Sequence, residues 1–148
     1  MKVGVPKEVK NHEYRVGLIP GGVAEYVRHG HDVVVEQGAG EGSAISDDAY
    51  REAGATILES ADAVWEAADM IVKVKEPVEQ EYDRMQEGQI IYTYFHLAAV
   101  PELADALVDK NVAAVAYETI ELSDGRLPLL EPMSEVAGRM SIQVGAQS

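Results

Sequence analysis

Residues 70–95 read MIVKVKEPVEQEYDRMQEGQIIYTYF, and this stretch decides the fold. Met70–Lys75 is a mostly apolar, β-branched run with the composition of a strand. Glu81–Glu87 reads as a helix closed by Gly88, and Gln89–Phe95 as the longest strand in the chain. Strand, helix and strand in so short a span make a βαβ unit, which requires a parallel sheet.

The alternation extends in both directions. Lys2–Val5 reads as a strand. Pro20 opens a helix, Pro20–His29, that stops at Gly30, with proline at the start and glycine just past the end. Asp32–Glu36 is the next strand, and Ser46 is an N-cap for a helix ending near Gly54. Thr56–Leu58 (strand), Ala61–Asp69 (helix), Pro101–Lys110 (helix) and Val112–Tyr117 (strand) continue the series. The pattern predicts a three-layer, doubly wound α/β domain with a mostly parallel sheet of five or six strands, flavodoxin-like in type. Right-handed crossovers put helices on both faces. The alternation ends at Glu121–Leu130, where Ser123-Asp124-Gly125 signals a hairpin turn. After Pro132, Ser134 is an N-cap candidate for a last helix, Glu135–Ala146. No strand follows that helix, so residues 133–148 read as the start of a connector after a domain over residues 1–132.

Composition narrows the function classes. The chain has 148 residues, 47% hydrophobic and 26% charged, which suits one globular domain. The formal net charge is −14, the opposite of a nucleic-acid binder's basic patch. There is no cysteine, which excludes a disulfide scaffold, a thiolate metal site and a thiol nucleophile. The opening MKVGVPKEVK lacks the apolar core of a signal peptide. The longest apolar stretch, Ile90–Val100, is broken by Tyr92, Thr93, Tyr94 and His96 and falls short of the ~18 residues of a spanning helix. A cytoplasmic protein with no membrane partner is expected.

The candidate chemistry lies at strand ends. Ligands of open α/β sheets bind outside the carboxyl ends of the strands. Lys75 closes the Met70–Lys75 strand, and His96 closes the next. Alternation along the strand puts Lys73 and Lys75 on one face, although a central parallel strand should be apolar on both. Arg15 follows the first strand, and its rigid fork suits a carboxylate. Each has a plainer reading: a solvated rim lysine, a structural histidine, a surface arginine. Two cations and an imidazole on one rim, taken together, suit a small carboxylate substrate undergoing proton transfer. The loop Gly38-Ala39-Gly40-Glu41-Gly42-Ser43 does not match G-x-G-x-x-G and carries an acid where phosphate would sit, so it reads as a structural turn. His12, His29 and His31 show no helical metal-ligand spacing, and no metal is expected.

The ordered motifs VGVPKEVKNHEYRVGLIP, HGHDVVVEQGAGEGSAI, VKVKEP, YTYFHLAA, AYETI and PLLEPMSEVAGRMSIQVGAQ span essentially the whole chain. Through them the chain resembles the N-terminal substrate domain of the alanine dehydrogenase family. The transhydrogenase alpha subunit shares the architecture but resembles the FHLAA and MSEVAGRMS segments less well. The resemblance implies reversible NAD-dependent oxidation of L-alanine to pyruvate and ammonia by a homo-oligomer. It implies that Arg15 and Lys75 hold the substrate carboxylate, that His96 acts as acid and base during imine hydrolysis, and that Ser134 and Met133 contact the cofactor. In the family, a Rossmann domain with the G-x-G-x-x-G fingerprint follows the MSEVAGR helix. It is absent from this chain, so little or no turnover is expected of the chain alone. A non-catalytic module binding a small acid and a transhydrogenase-type component are the alternatives. A substrate imidazole at position 96 favours the dehydrogenase over the transhydrogenase.

Overall fold

The computed structural model describes residues 1–147. Strands β1 (Lys2–Val5), β2 (Asp32–Glu36), β3 (Thr56–Leu58), β4 (Met70–Lys75), β5 (Ile90–Tyr94) and β6 (Ala113–Ala116) form one sheet in the order β3-β2-β1-β4-β5-β6. The pairs β1–β2, β1–β4, β2–β3 and β4–β5 are parallel. The doubly wound α/β class is as expected. The strand order carries one edge strand more than the flavodoxin arrangement: β3 adds outside β2, giving the 3-2-1-4-5-6 order of dinucleotide-type sheets. Three residues of strand suffice for this because Val34, Val35 and Glu36 supply a full register for Thr56, Ile57 and Leu58.

Helices α1 (Pro20–Arg28), α2 (Asp47–Glu52) and α3 (Ala61–Ala67) make the first crossovers. Ser46 caps α2 by accepting the Ala49 amide at 3.3 Å, and Ser60 caps α3 by accepting that of Ala63 at 3.2 Å. The core gathers Val3, Val5, Val33, Val35 and Val72 from the sheet, Val23 from α1 and Tyr50 from α2. The Tyr50 ring is fully buried, and its hydroxyl donates to the Leu18 carbonyl at 2.8 Å. Burial, helped by Asp47, pushes that phenol up to about 12, so it stays a donor.

Two connections differ from expectation. The helix after β4, α4, covers Glu79–Tyr82 and not Glu81–Glu87. Glu81 turns inward, is buried, and accepts the Val78 amide at 3.1 Å, which starts the helix early. The final helix is α6, Glu131–Gln147, following α5 (Pro101–Asp109). It starts ahead of Ser134, because the Leu127 carbonyl already accepts the amides of Leu130 and Glu131. Pro132 then sits in the first turn, where its missing N–H costs nothing. Ser134 is therefore inside the helix rather than its cap. Its hydroxyl and its amide both donate to the Leu130 carbonyl, at 3.3 and 3.1 Å. Gly125 makes the expected turn at φ +82°; the Leu122 amide donates to the Arg126 carbonyl and the Leu122 carbonyl accepts the Gly125 amide, both at 2.9 Å. The chain divides into two compact units, the first over Met1–Val115 and the second from Ala116 onward. Among the described residues no helix is long and apolar enough to cross a membrane.

One glycine fixes the path of the segment after Arg15. A Cβ on Gly17 would stand 2.5 Å from the Val72 carbonyl oxygen, because the chain crosses directly over the backbone of β4. Gly17→Ala is expected to cost about 1–3 kcal/mol, since rigid backbone must shift. A urea midpoint equal to that of the wild type would show that the crossing is looser than drawn.

Candidate functional site

Strand order reverses between β1 and β4, and chains leaving two such strands open a crevice at their carboxyl ends. The parallel strands β1, β4 and β5 end on the same side of the sheet; Lys75 closes β4, His96 lies two residues past β5, and Arg15 lies ten residues past β1. Lys75 is opposite Tyr94 in the sheet register. Between Val72 and Lys75 that register slips: Val72 faces Tyr92, and three residues on β4 then match two on β5. Such a bulge re-aims side chains near a strand end. Strict alternation therefore does not hold between Lys73 and Lys75. Lys73 is fully buried, while Lys75 is half-buried.

Arg15 is gripped by Glu13. Its Nε donates to Glu13 Oε1 at 2.8 Å and its second terminal nitrogen to Oε2 at 2.6 Å, while the Arg15 amide donates to Oε1 at 3.0 Å. The Glu13 side chain is only 8% exposed against 43% for Arg15, so the carboxylate is a clamp beneath a guanidinium that reaches solvent. The hydrogen bonds from Arg15 hold the Glu13 carboxyl below its ordinary value, and the Lys75 cation contributes in the same direction. The hydrogen bonds Arg15 donates to Glu13 hold it above its ordinary value, against burial, with smaller contributions from the charges of Glu13, Glu8 and Tyr94. Arg15, Glu13, Lys75 and Tyr94 thus feel one another at a single edge of the sheet.

His96 joins this group through Tyr94. The two rings lie 6.4 Å apart between centroids and 20° from parallel. The His96 backbone is left-handed, φ +50°, where β5 breaks into a short 3₁₀ turn over Leu97–Ala99. For a non-glycine residue this is an uncommon conformation, and such residues gather at ligand sites. The imidazole is exposed at the rim.

A cavity of about 500 Å³ lies between the loop after β1 and the glycine-rich loop after β2. Arg15, Glu13, Lys10 and Gly42 line it, whereas Lys75 and His96 do not. The glycine loop is a buttress. A Cβ on Gly42 would stand 2.5 Å from the Tyr14 carbonyl oxygen, and the Ser43 hydroxyl donates to that oxygen at 3.0 Å. In the sequence Glu13 is one acid in a charged loop, beside Lys10 and His12, and Tyr94 lies inside a strand. The i, i+2 spacing of Glu13 to Arg15 and of Tyr94 to His96 was the available signal.

The family described as "Alanine dehydrogenase/PNT, N-terminal domain" matches residues 4–137. The chain belongs to that family. It is 56% identical over 146 residues to an alanine dehydrogenase of Mycolicibacterium smegmatis, covering 99% of this chain and 39% of that protein. It is 57% identical over 148 residues to that of Bacillus subtilis, covering 99% of this chain and 38% of the relative. A solved L-alanine dehydrogenase superposes with a TM-score of 0.94 at 50% identity over 99% of this chain and 40% of that one. A solved transhydrogenase from Sinorhizobium meliloti gives 0.75 at 34% identity over 80% of this chain and 34% of that one. The chain spans about two fifths of the length of its dehydrogenase relatives.

The resemblance that placed the chain in this family also implied a nicotinamide nucleotide, and the described residues do not form a cradle for one. In the loop after β2 the Gly38 amide donates to Asp47 at 2.9 Å, and the amides of Ala39, Glu41 and Ser43 donate to the carbonyls of Glu36, Gly38 and Gly40. After β1, α1 opens at Pro20, which has no N–H, and the amides of Gly22 and Val23 return to the Ile19 carbonyl. Both donors of Ser134 are committed to the Leu130 carbonyl.

Proposed function

We propose that the chain is the substrate-side domain of an NAD-dependent L-alanine dehydrogenase, which interconverts L-alanine with pyruvate and ammonia. The observation that carries this reading is the Arg15–Glu13 clamp beside Lys75 at the crevice between β1 and β4. Arg15 offers a planar fork whose one edge Glu13 has already oriented, and Lys75 adds a point charge beside it. Together they hold a substrate carboxylate and fix which face of the adjacent carbon is presented. His96 stands two residues past Tyr94, the partner of Lys75 in the sheet register. In the deamination half of the reaction, water adding to the substrate carbon gives up a proton and departing ammonia takes one. An imidazole at the rim serves both transfers.

The steps assigned to these residues are binding and proton transfer. Met133, exposed on the first turn of α6, and Ser134 beside it are assigned as cofactor contacts on the family resemblance. With its hydrogen committed to Leu130, the Ser134 hydroxyl has only acceptor capacity left for such a contact. The same resemblance supports a cytoplasmic homo-oligomer.

Pyruvate titrated into the 148-residue chain, followed by amide resonances, is expected to shift residues around Arg15, Lys75 and His96. The same chain supplied with alanine and NAD is expected to show no turnover. Absence of shifts at those three positions in a folded sample would overturn the assignment of the site. Normal turnover would show that the chain holds the nucleotide after all.

A further inference from the structure

Beneath the candidate site lies a second layer of charge. Lys73, in β4, is fully buried, with Nζ 2.8 Å from Glu81 Oε1 and 3.5 Å from Glu8 Oε2. The Glu8 side chain is 2% exposed and comes from the loop that carries Arg15. Its Oε1 accepts the Val74 amide at 2.6 Å, within the stretch where the β4–β5 register slips. Its Oε2 makes no hydrogen bond. Two residues on, Lys10 pairs with the buried Glu76 just past β4. The loop of Arg15 is thus fastened twice to the end of the strand that presents Lys75.

We propose that Glu8 is a positioning residue, whose bond to the Val74 amide sets the separation of Arg15 and Lys75. The proposal rests on the carboxylate-binding reading above. A link made only for strength would be cheaper without a charge. Burial pushes the Glu8 carboxyl above its ordinary value; Lys73 and the Val74 and Lys75 amides oppose this, and Glu81 adds to it. A carboxyl raised in the folded state binds more protons there than in the unfolded chain. The stability it gives is present at low pH and lost as pH rises through its folded titration. Ionised Glu8 therefore works against the fold. The groups facing it are Lys73 and Val74 on β4, Glu81 on α4 and, more distantly, Arg15 on its own loop. Glu8→Gln keeps an oxygen for the Val74 amide and leaves Lys73 and Glu81 as a neutral pair.

The test compares the wild-type chain, Glu8→Gln, Glu8→Leu and Arg15→Ala by thermal melting and by pyruvate titration. Glu8→Gln keeps the bond to the Val74 amide, so it is expected to melt no lower than the wild type and to bind pyruvate as the wild type does. Its Val74 amide resonance should move as the acceptor loses its charge. Glu8→Leu removes the acceptor and is expected to bind on the order of tenfold more weakly, because a small misplacement of paired groups is costly. If Glu8→Gln binds as weakly as Glu8→Leu, the bond to Val74 does not do the positioning and the proposal is wrong. If Glu8→Leu fails to fold or Glu8→Gln melts lower, Glu8 is a strut and the proposal is wrong. If Glu8→Leu binds as the wild type while Arg15→Ala does not, positioning by Glu8 is wrong and the carboxylate reading stands. If the wild type does not bind, or Arg15→Ala binds equally well, the carboxylate reading fails and the proposal fails with it.

Discussion

Lys73→Met is expected to destabilise the chain by about 3–5 kcal/mol, the usual result of removing one partner from a buried ion pair. Methionine fills much of the lysine's volume, so packing changes little and the loss is electrostatic. Two carboxylates, Glu8 and Glu81, are left inside the protein without their cation. Domains of this size are stable by roughly 5–15 kcal/mol in total, so the urea midpoint should fall steeply. The variant should recover as the pH is lowered, because a stranded Glu8 carboxyl binds protons more tightly folded than unfolded. Adding Glu81→Leu to Lys73→Met should restore part of the loss, since apolar replacement of a buried pair is often close to neutral. A Lys73→Met chain with the wild-type midpoint at neutral pH would show that Lys73 does not compensate those acids.

Arg15→Ala is expected to weaken pyruvate binding by about 2 kcal/mol or more, roughly thirtyfold in Kd, the worth of a charge-assisted forked contact. The damage goes beyond one lost cation. Glu13 keeps a largely buried carboxylate whose partner has gone, and it then repels the substrate carboxylate. Arg15→Lys should not restore binding, because an ammonium cannot hold Glu13 with two nitrogens and still face the ligand. Calorimetry of the three chains decides it; a Lys variant within a factor of two of the wild type would reduce the guanidinium to a point charge. His96→Ala should leave Kd nearly unchanged in the same series, since proton transfer and not carboxylate binding is its assigned task.

The strand spans along β1 to β5 and the helix caps at Ser46 and Ser60 follow from local signals: β-branched runs, proline at helix starts, glycine after helix ends, hydroxyls before first turns. Lys75 and His96 were visible as polar residues closing two successive apolar runs, and Arg15 as a forked cation in the loop after the first strand. Glu8 and Glu81 were not. Each looked like an ordinary solvated acid in a charged loop or helix, and only Lys73, a lysine within a strand expected to be apolar on both faces, hinted that an acid must come to meet it.

The order of residues was enough to determine a parallel α/β sheet and to mark Lys75 and His96 as polar residues at strand ends, because periodicity and strand direction are properties of neighbouring residues. The bulge that parts Lys73 from Lys75, the edge position of β3, the early start of α6 and the clamp of Glu13 on Arg15 were decided in three dimensions. Each depends on which distant backbone lies alongside, and a carboxylate 66 residues from the amide it accepts leaves no local trace.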